Sequence, residues 1–190
     1  MGFTKRNGNK NNVSPGDLAP DFVSLDQHGN GFDLRKDVLS EGRLCILYFY
    51  PKDGDFFCTK QACALRDSVA NLARYNAEVV GVSRDSRASH LRFAERYNLP
   101  FRLVSDEDGE VQEIMGVTRG LFGLQRTART TFIIEGTTGR VIAKYVNQVN
   151  FKKHLKLIGD VIEKEAALAE KRQQPGRTLQ HDCEGSHCPL

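Results

Sequence analysis

The chain has 190 residues, 39% of them hydrophobic, and a formal net charge of +3. That length suits one domain with appendages and can bury a sizeable core, and so small a charge gives no case for a nucleic-acid partner. No apolar run approaches the roughly 18 residues of a membrane span, and five loosely spaced cysteines do not frame a small secreted disulfide scaffold. Met1–Asn12 is rich in Asn, Lys and Gly and is expected to be flexible. It lacks the apolar stretch of a secretory signal, and Arg6 breaks the myristoylation pattern that Gly2 begins. Reactive rather than structural cysteines imply a reducing compartment: the cytoplasm, or a plastid should the chain be a processed form.

Phe22–Leu25 alternates and reads as a strand, Gln27–Gly31 as a turn with His28 on the surface, and Phe32–Leu34 as a returning strand. Arg43–Tyr50 is an aromatic-rich buried strand in which Cys45 is a small hydrophobe. Pro51 ends it, since proline cannot donate to a ladder, and residues 52–55 make a turn. From Cys58 to Asn76 the spacing predicts a helix, with Ala62, Leu65, Val69, Leu72 and Ala73 on one face. Glu78–Ser83 is almost continuously apolar at its centre, as a buried parallel strand should be.

Ser86 is a good N-cap for a helix to Tyr97 that carries Leu91, Ala94 and Tyr97 on one face, and Leu99-Pro100 stops it. Phe101–Val104 reads as a short strand and Glu110–Met115 as a short helix. Arg129–Glu135 and Val141–Tyr145 are strands around the turn Gly136–Gly139. Phe151, Leu155, Ile158, Ile162 and Ala166 mark a final amphipathic helix. This order predicts an α/β three-layer sandwich with a central mixed sheet over residues 13–172. Residues 173–190 are expected to be a flexible tail. Its Cys183 and Cys188 could serve as an auxiliary thiol pair. With His181 and His187 they include zinc-ligand types, but the spacing is loose and no second cluster frames it, so no metal is expected.

Cys58 falls at a strand-to-helix junction, in the first turn of the helix. Free N–H groups and the positive end of the dipole favour thiolate there, so its pKa is expected to fall. Cys63 follows five residues on. In an intact helix the two are rotated by about 140° and separated by about 7.5 Å of rise. A disulfide wants Cα atoms roughly 4.4–6.8 Å apart, so joining them requires the first turn to unwind.

Pro-x6-Cys after an aromatic strand, followed by Thr-Lys-x-Ala-Cys, resembles the peroxiredoxins, and more narrowly their bacterioferritin-comigratory or Q type. Pro51, Lys52, Asp53, Cys58, Thr59, Ala62 and Cys63 match that pattern. Ala19-Pro20-Asp21-Phe22, Leu65–Ser68, Gly81–Ser86, Leu103–Asp106 and Arg129–Ile134 match in order along the chain. Two positions depart: Asp55 stands where the family has Thr or Ser, and Gln61 where it most often has Glu.

The resemblance implies a thioredoxin-like fold and a thiol peroxidase that needs no metal, flavin or other cofactor. Cys58 would be the peroxidatic cysteine, attacking the O–O bond of hydrogen peroxide or a small organic hydroperoxide. Cys63 would be the resolving cysteine, and thioredoxin or a similar dithiol would reduce the disulfide. Arg129 would lie beside the thiolate, Pro51 would shield the pocket, and Gln61 would offer an amide without charge. The protein would be a monomer. A general disulfide oxidoreductase would want Cys-x-x-Cys, which the chain lacks. Asp55 leaves alternatives open: a carboxylate opposing the thiolate, a protonated donor replacing the hydroxyl, or an outward-turned N-cap. It also keeps open a redox-sensing or binding protein whose turnover is weak or lost.

Overall fold

The computed structural model describes residues 12–121 and 124–173, the side chains of 118–126 and 169–173 excepted. The expectations for residues 1–11 and for the tail, with Cys183 and Cys188, lie outside the described residues. Nine strands are described: β1 Val23–Asp26, β2 Gly31–Asp33, β3 Leu44–Phe49, β4 Ala77–Ser83, β5 Arg102–Ser105, β6 Thr118–Leu121, β7 Leu124–Thr127, β8 Thr130–Ile134 and β9 Val141–Val146. The helices are α1 Leu34–Asp37, α2 Phe56–Ala73, α3 Arg87–Tyr97, α4 Glu110–Ile114 and α5 Phe151–Gln173.

Seven strands form one sheet in the order β2-β1-β5-β4-β3-β8-β9. β4 lies parallel to both β3 and β5, as its unbroken apolar centre requires, while β8 runs antiparallel to β3. The sheet is therefore mixed, and the thioredoxin-like sandwich read from the sequence stands. The pleat of β3 divides the core. Cys45, Leu47 and Phe49 point to a cluster with Phe22, Leu34, Val111 and Ile114. Ile46, Tyr48 and Tyr50 point the other way, against Leu65 of α2, Phe93 of α3 and Ile158 of α5. Each such buried side chain contributes about 1.5–3 kcal/mol. Gly81 is required here: a Cβ would come within 2.8 Å of the Tyr48 ring.

The element edges differ from expectation in physically readable ways. α2 begins at Phe56 rather than Cys58, because Asp55 caps it. It ends at Ala73, which is exposed, and Asn76 adopts a positive φ of 52° beyond the end. The buried face of α3 is His90, Phe93 and Ala94, with Leu91 only half-buried; Asn98, left-handed at φ 50°, stops it before Pro100 is reached. The hairpin β6–β7 was not expected. Residues 116–128 carry three glycines and two arginines rather than an apolar alternation, so the segment gives no strand period.

Candidate active site

Cys58 occupies the third position of α2, beyond the turn that follows the end of β3 at Phe49. Tyr50 leaves β3, Pro51 and Lys52 lie exposed, and Gly54 turns the chain with φ 73°. The turn is anchored from below. The Asp53 carboxylate accepts from Tyr50 Oη at 2.8 Å and meets His90 Nδ1 at 2.8 Å, while the Asp53 amide donates to Asp85 at 2.9 Å. His90 is fully buried on α3. Nothing in the sequence pattern of α3 distinguishes it from a core residue.

Asp55 turns to the helix. Its Oδ1 accepts from the amides of Phe57 and Cys58, each at 3.0 Å, which satisfies two of the donors orphaned at a helix start. Partial burial acts to raise its pKa, but the Cys58 and Phe57 donors and the Arg129 charge outweigh that and hold the carboxyl below its usual range. The group is thus an ionised cap, and the geometry does not favour the protonated-donor alternative.

Arg129 comes from the far side of the sequence. The register pairs Phe49 of β3 with Thr130 of β8, which places Arg129 at the end of β3 where α2 starts. The residue is 1% exposed. Its Nη2 donates to Cys58 Sγ at 3.2 Å, its Nη1 to Gln61 Oε1 at 2.6 Å and its Nε to the carbonyl of Gln148 at 3.0 Å. The carboxylate accompanying this buried cation is Asp55, with Oδ1 3.7 Å from Nη2. A neutral amide stands at Gln61, so the counter-charge comes from the cap rather than from the second turn of α2. Gln61 Nε2 and Tyr48 Oη, both buried, have no hydrogen-bond partner among the described residues. Gln148 was not foreseeable, since a lone loop glutamine carries no pattern.

The expected fall in the Cys58 pKa is overturned. Cys58 is 1% exposed. Burial pushes its thiol up to about 11, with Arg129 and the Lys52 backbone pulling the other way and the Asp55 side chain adding to the rise. Desolvation outweighs the positive helix end in this closed geometry. Cys45 is fully buried and its thiol is likewise pushed up by burial, as an inert core residue. Cys63 is half-buried, and Cys45, Cys58 and Cys63 are all free thiols. Cys58 and Cys63 sit in one unbroken helix. Pro51 is exposed in the turn, so it borders the site without being packed into it. Phe56 and Phe57 are exposed beside Cys58, and Lys60 Nζ lies 4.2 Å from the centre of the Phe56 ring. Among the described residues no cluster of three or more His, Cys, Asp or Glu could hold a metal ion.

The stretch that holds this cysteine and arginine lies within residues 15–143, which match the model of the AhpC/TSA family. The chain belongs to the AhpC/TSA family. Within this family it is 43% identical over 143 residues to the chloroplastic peroxiredoxin Q of Oryza sativa subsp. japonica, covering 75% of this chain and 64% of that one. The chloroplastic peroxiredoxin Q of Arabidopsis thaliana gives the same identity, 43%, and the same coverage, 75% and 64%. The match thus spans somewhat less than two thirds of the length of these relatives. The crystal structure of peroxidoxin BcpB from Mycobacterium tuberculosis is 31% identical with a TM-score of 0.74, covering 80% of this chain and 97% of that one. A structure of the Xanthomonas campestris bacterioferritin comigratory protein, solved to explain that protein's alkyl peroxide reduction, is 26% identical with a TM-score of 0.68; it covers 76% of this chain and 91% of that one. The Q-type resemblance read from the motifs is therefore confirmed.

Proposed function

We propose that the protein is a thiol peroxidase that reduces hydrogen peroxide and alkyl hydroperoxides. The observation that carries the reading is the 3.2 Å contact from buried Arg129 Nη2 to Cys58 Sγ, which sets a fixed donor beside the nucleophile. The Cys58 thiolate attacks the terminal oxygen of the hydroperoxide. The O–O bond breaks, the terminal OH is transferred to sulfur, which is oxidised to sulfenic acid, and the departing oxygen takes up the proton released when the thiol ionised and leaves as alcohol or water. In this reading Arg129 stabilises charge on the leaving oxygen, and Gln61 Nε2, buried and without a partner among the described residues, offers a second donor. Cys63 then condenses with the sulfenic acid, releasing water, once the first turn of α2 unwinds. A dithiol such as thioredoxin supplies two electrons to restore both thiols.

In this reading the protein acts as a monomer without metal or flavin. It works in a reducing compartment, and the chloroplastic relatives weight a plastid over the cytoplasm. No helix among the described residues is long and apolar enough to cross a membrane. The test is NADPH consumption in the presence of thioredoxin and its reductase, with and without an alkyl hydroperoxide. Peroxide-dependent turnover that Cys58→Ser abolishes supports the reading. Oxidation of Cys58 without turnover would instead support the redox-sensing alternative that Asp55 leaves open.

A further inference from the structure

We infer that His154, a buried residue of α5 that touches neither cysteine, is a positioning residue for Arg129, acting through the loop 147–150. This rests on the reading of Arg129 as the donor beside Cys58. The path is continuous. His154 Nε2 lies 3.0 Å from the carbonyl oxygen of Asn147, and its Nδ1 lies 2.8 Å from Thr131 Oγ1. A carbonyl only accepts, so Nε2 carries the proton and Nδ1 accepts from the Thr131 hydroxyl. The tautomer is therefore fixed by its partners. The imidazole is held neutral: burial first, then the charge of Arg129, lowers its pKa to about 4 against the pull of the Asn147 carbonyl.

Asn147 passes the constraint on. Its amide donates to the Arg129 carbonyl at 3.2 Å, and its Oδ1 accepts from the amides of Val149 and Asn150 at 3.1 and 2.7 Å. That turn presents Gln148 to Arg129 twice. The Gln148 carbonyl accepts from Arg129 Nε at 3.0 Å, and Gln148 Oε1 accepts from the Arg129 amide at 3.2 Å. The loop is otherwise exposed from Gln148 to Asn150 and has little packing of its own to hold it. The anchor is rigid by contrast: His154 is fully buried, stands edge-on to Tyr145 at 4.7 Å and binds Thr131, a buried residue of β8. Fixing Nε fixes the plane of the guanidinium, and with it the direction in which Nη1 and Nη2 meet Gln61 and Cys58.

The experiment compares His154→Leu, His154→Gln, Gln148→Ala and Arg129→Ala in the full chain. Two rates are read: peroxide consumption in a single turnover, and alkylation of Cys58 by iodoacetamide followed by mass spectrometry. Leu39→Ala, in the core on the other face of the sheet, controls for lost thermal stability. His154→Leu is expected to slow the peroxide step about tenfold, the size of one displaced charge-assisted contact. His154→Gln keeps an amide donor at the Nε2 position and should return to within about threefold of wild type. Gln148→Ala, at an exposed site that threatens no packing, should lose about threefold even if His154→Leu does not fold. If Arg129→Ala slows the peroxide step while His154→Leu and Gln148→Ala lose no more than Leu39→Ala, the inference is overturned and the active-site reading survives. If Arg129→Ala itself is inert, that reading falls and takes the inference with it.

Discussion

At Asp55 one carboxylate accepts from two first-turn amides, lies 3.7 Å from Arg129 and stays ionised beside the Cys58 thiol, which in the proposed reaction attacks as its anion. Threonine also caps helices but carries no charge. Asp55→Thr is therefore expected to keep α2 intact, lower the Cys58 pKa and raise the peroxide rate by about tenfold. That is well below the ~4 kcal/mol of two bare charges at 4 Å in an effective dielectric near 20, because Asp55 is 43% exposed and Arg129 offsets part of its field. Competition kinetics for hydrogen peroxide on both proteins measures it, and a slower variant would assign the carboxylate a catalytic part through Arg129. The raised thiol of Cys58 carries its own test. Only the thiolate attacks, so the single-turnover rate should climb about tenfold per pH unit between roughly pH 6 and 9. A plateau reached below about pH 8 would mean that the thiolate is far better stabilised than its neighbours indicate. The resemblance to the family, rather than any local pattern, associated Arg129 and Gln61 with Cys58. The low pKa expected of a helix-end thiol was not legible as wrong, because a sequence shows that a cysteine begins a helix but not that its sulfur is sealed from water.

The helix α2 was legible because its apolar spacing is strong, and its start was misplaced by two residues because Phe56 and Phe57 are exposed and add nothing to that spacing. The decisive signal was Asp55, whose capping role is local chemistry but was one alternative among three. Unwinding the first turn gives up this cap, worth about 1 kcal/mol, together with the Arg129–Cys58 contact. In the proposed cycle, resolution by Cys63 therefore competes with the stability of the closed turn. Cys63→Ser should consume about one equivalent of peroxide and then stall as sulfenic acid, which mass spectrometry would detect. Sustained turnover of this variant with thioredoxin would move the resolving thiol elsewhere, Cys183 and Cys188 being the candidates. The hairpin β6–β7 marks the opposite limit of legibility: its pairing shows in the backbone, while its glycines and arginines give no period to read.

Across the whole molecule, the layer order followed from alternating apolar runs, whereas the meeting of residues distant in sequence depended on register. Only the pairing of Phe49 with Thr130 brings Arg129 over α2, and no local pattern encodes it. The same packing buries two groups whose effects on stability oppose one another. Asp106 accepts from the amides of Val111 and Gln112, both at 2.9 Å, and burial pushes its carboxyl up to about 6 despite them. Its folded pKa is raised, so its contribution is present at low pH and lost as pH rises from about 4 to about 6. His154 is depressed to about 4, burial being the main cause. Its contribution is present above about pH 6.5 and lost as pH falls toward 4. Each amounts to about 3 kcal/mol, and in the shared window they nearly cancel. Urea denaturation at about pH 4.5, 5.5 and 6.5 should separate them, with wild type as the reference for all other titrating groups. Relative to wild type, Asp106→Asn should gain stability as pH rises through this window, and His154→Gln should lose it. Curves that run parallel for the three proteins would show that neither group titrates from the burial seen here, and would remove the electrostatic account of both sites.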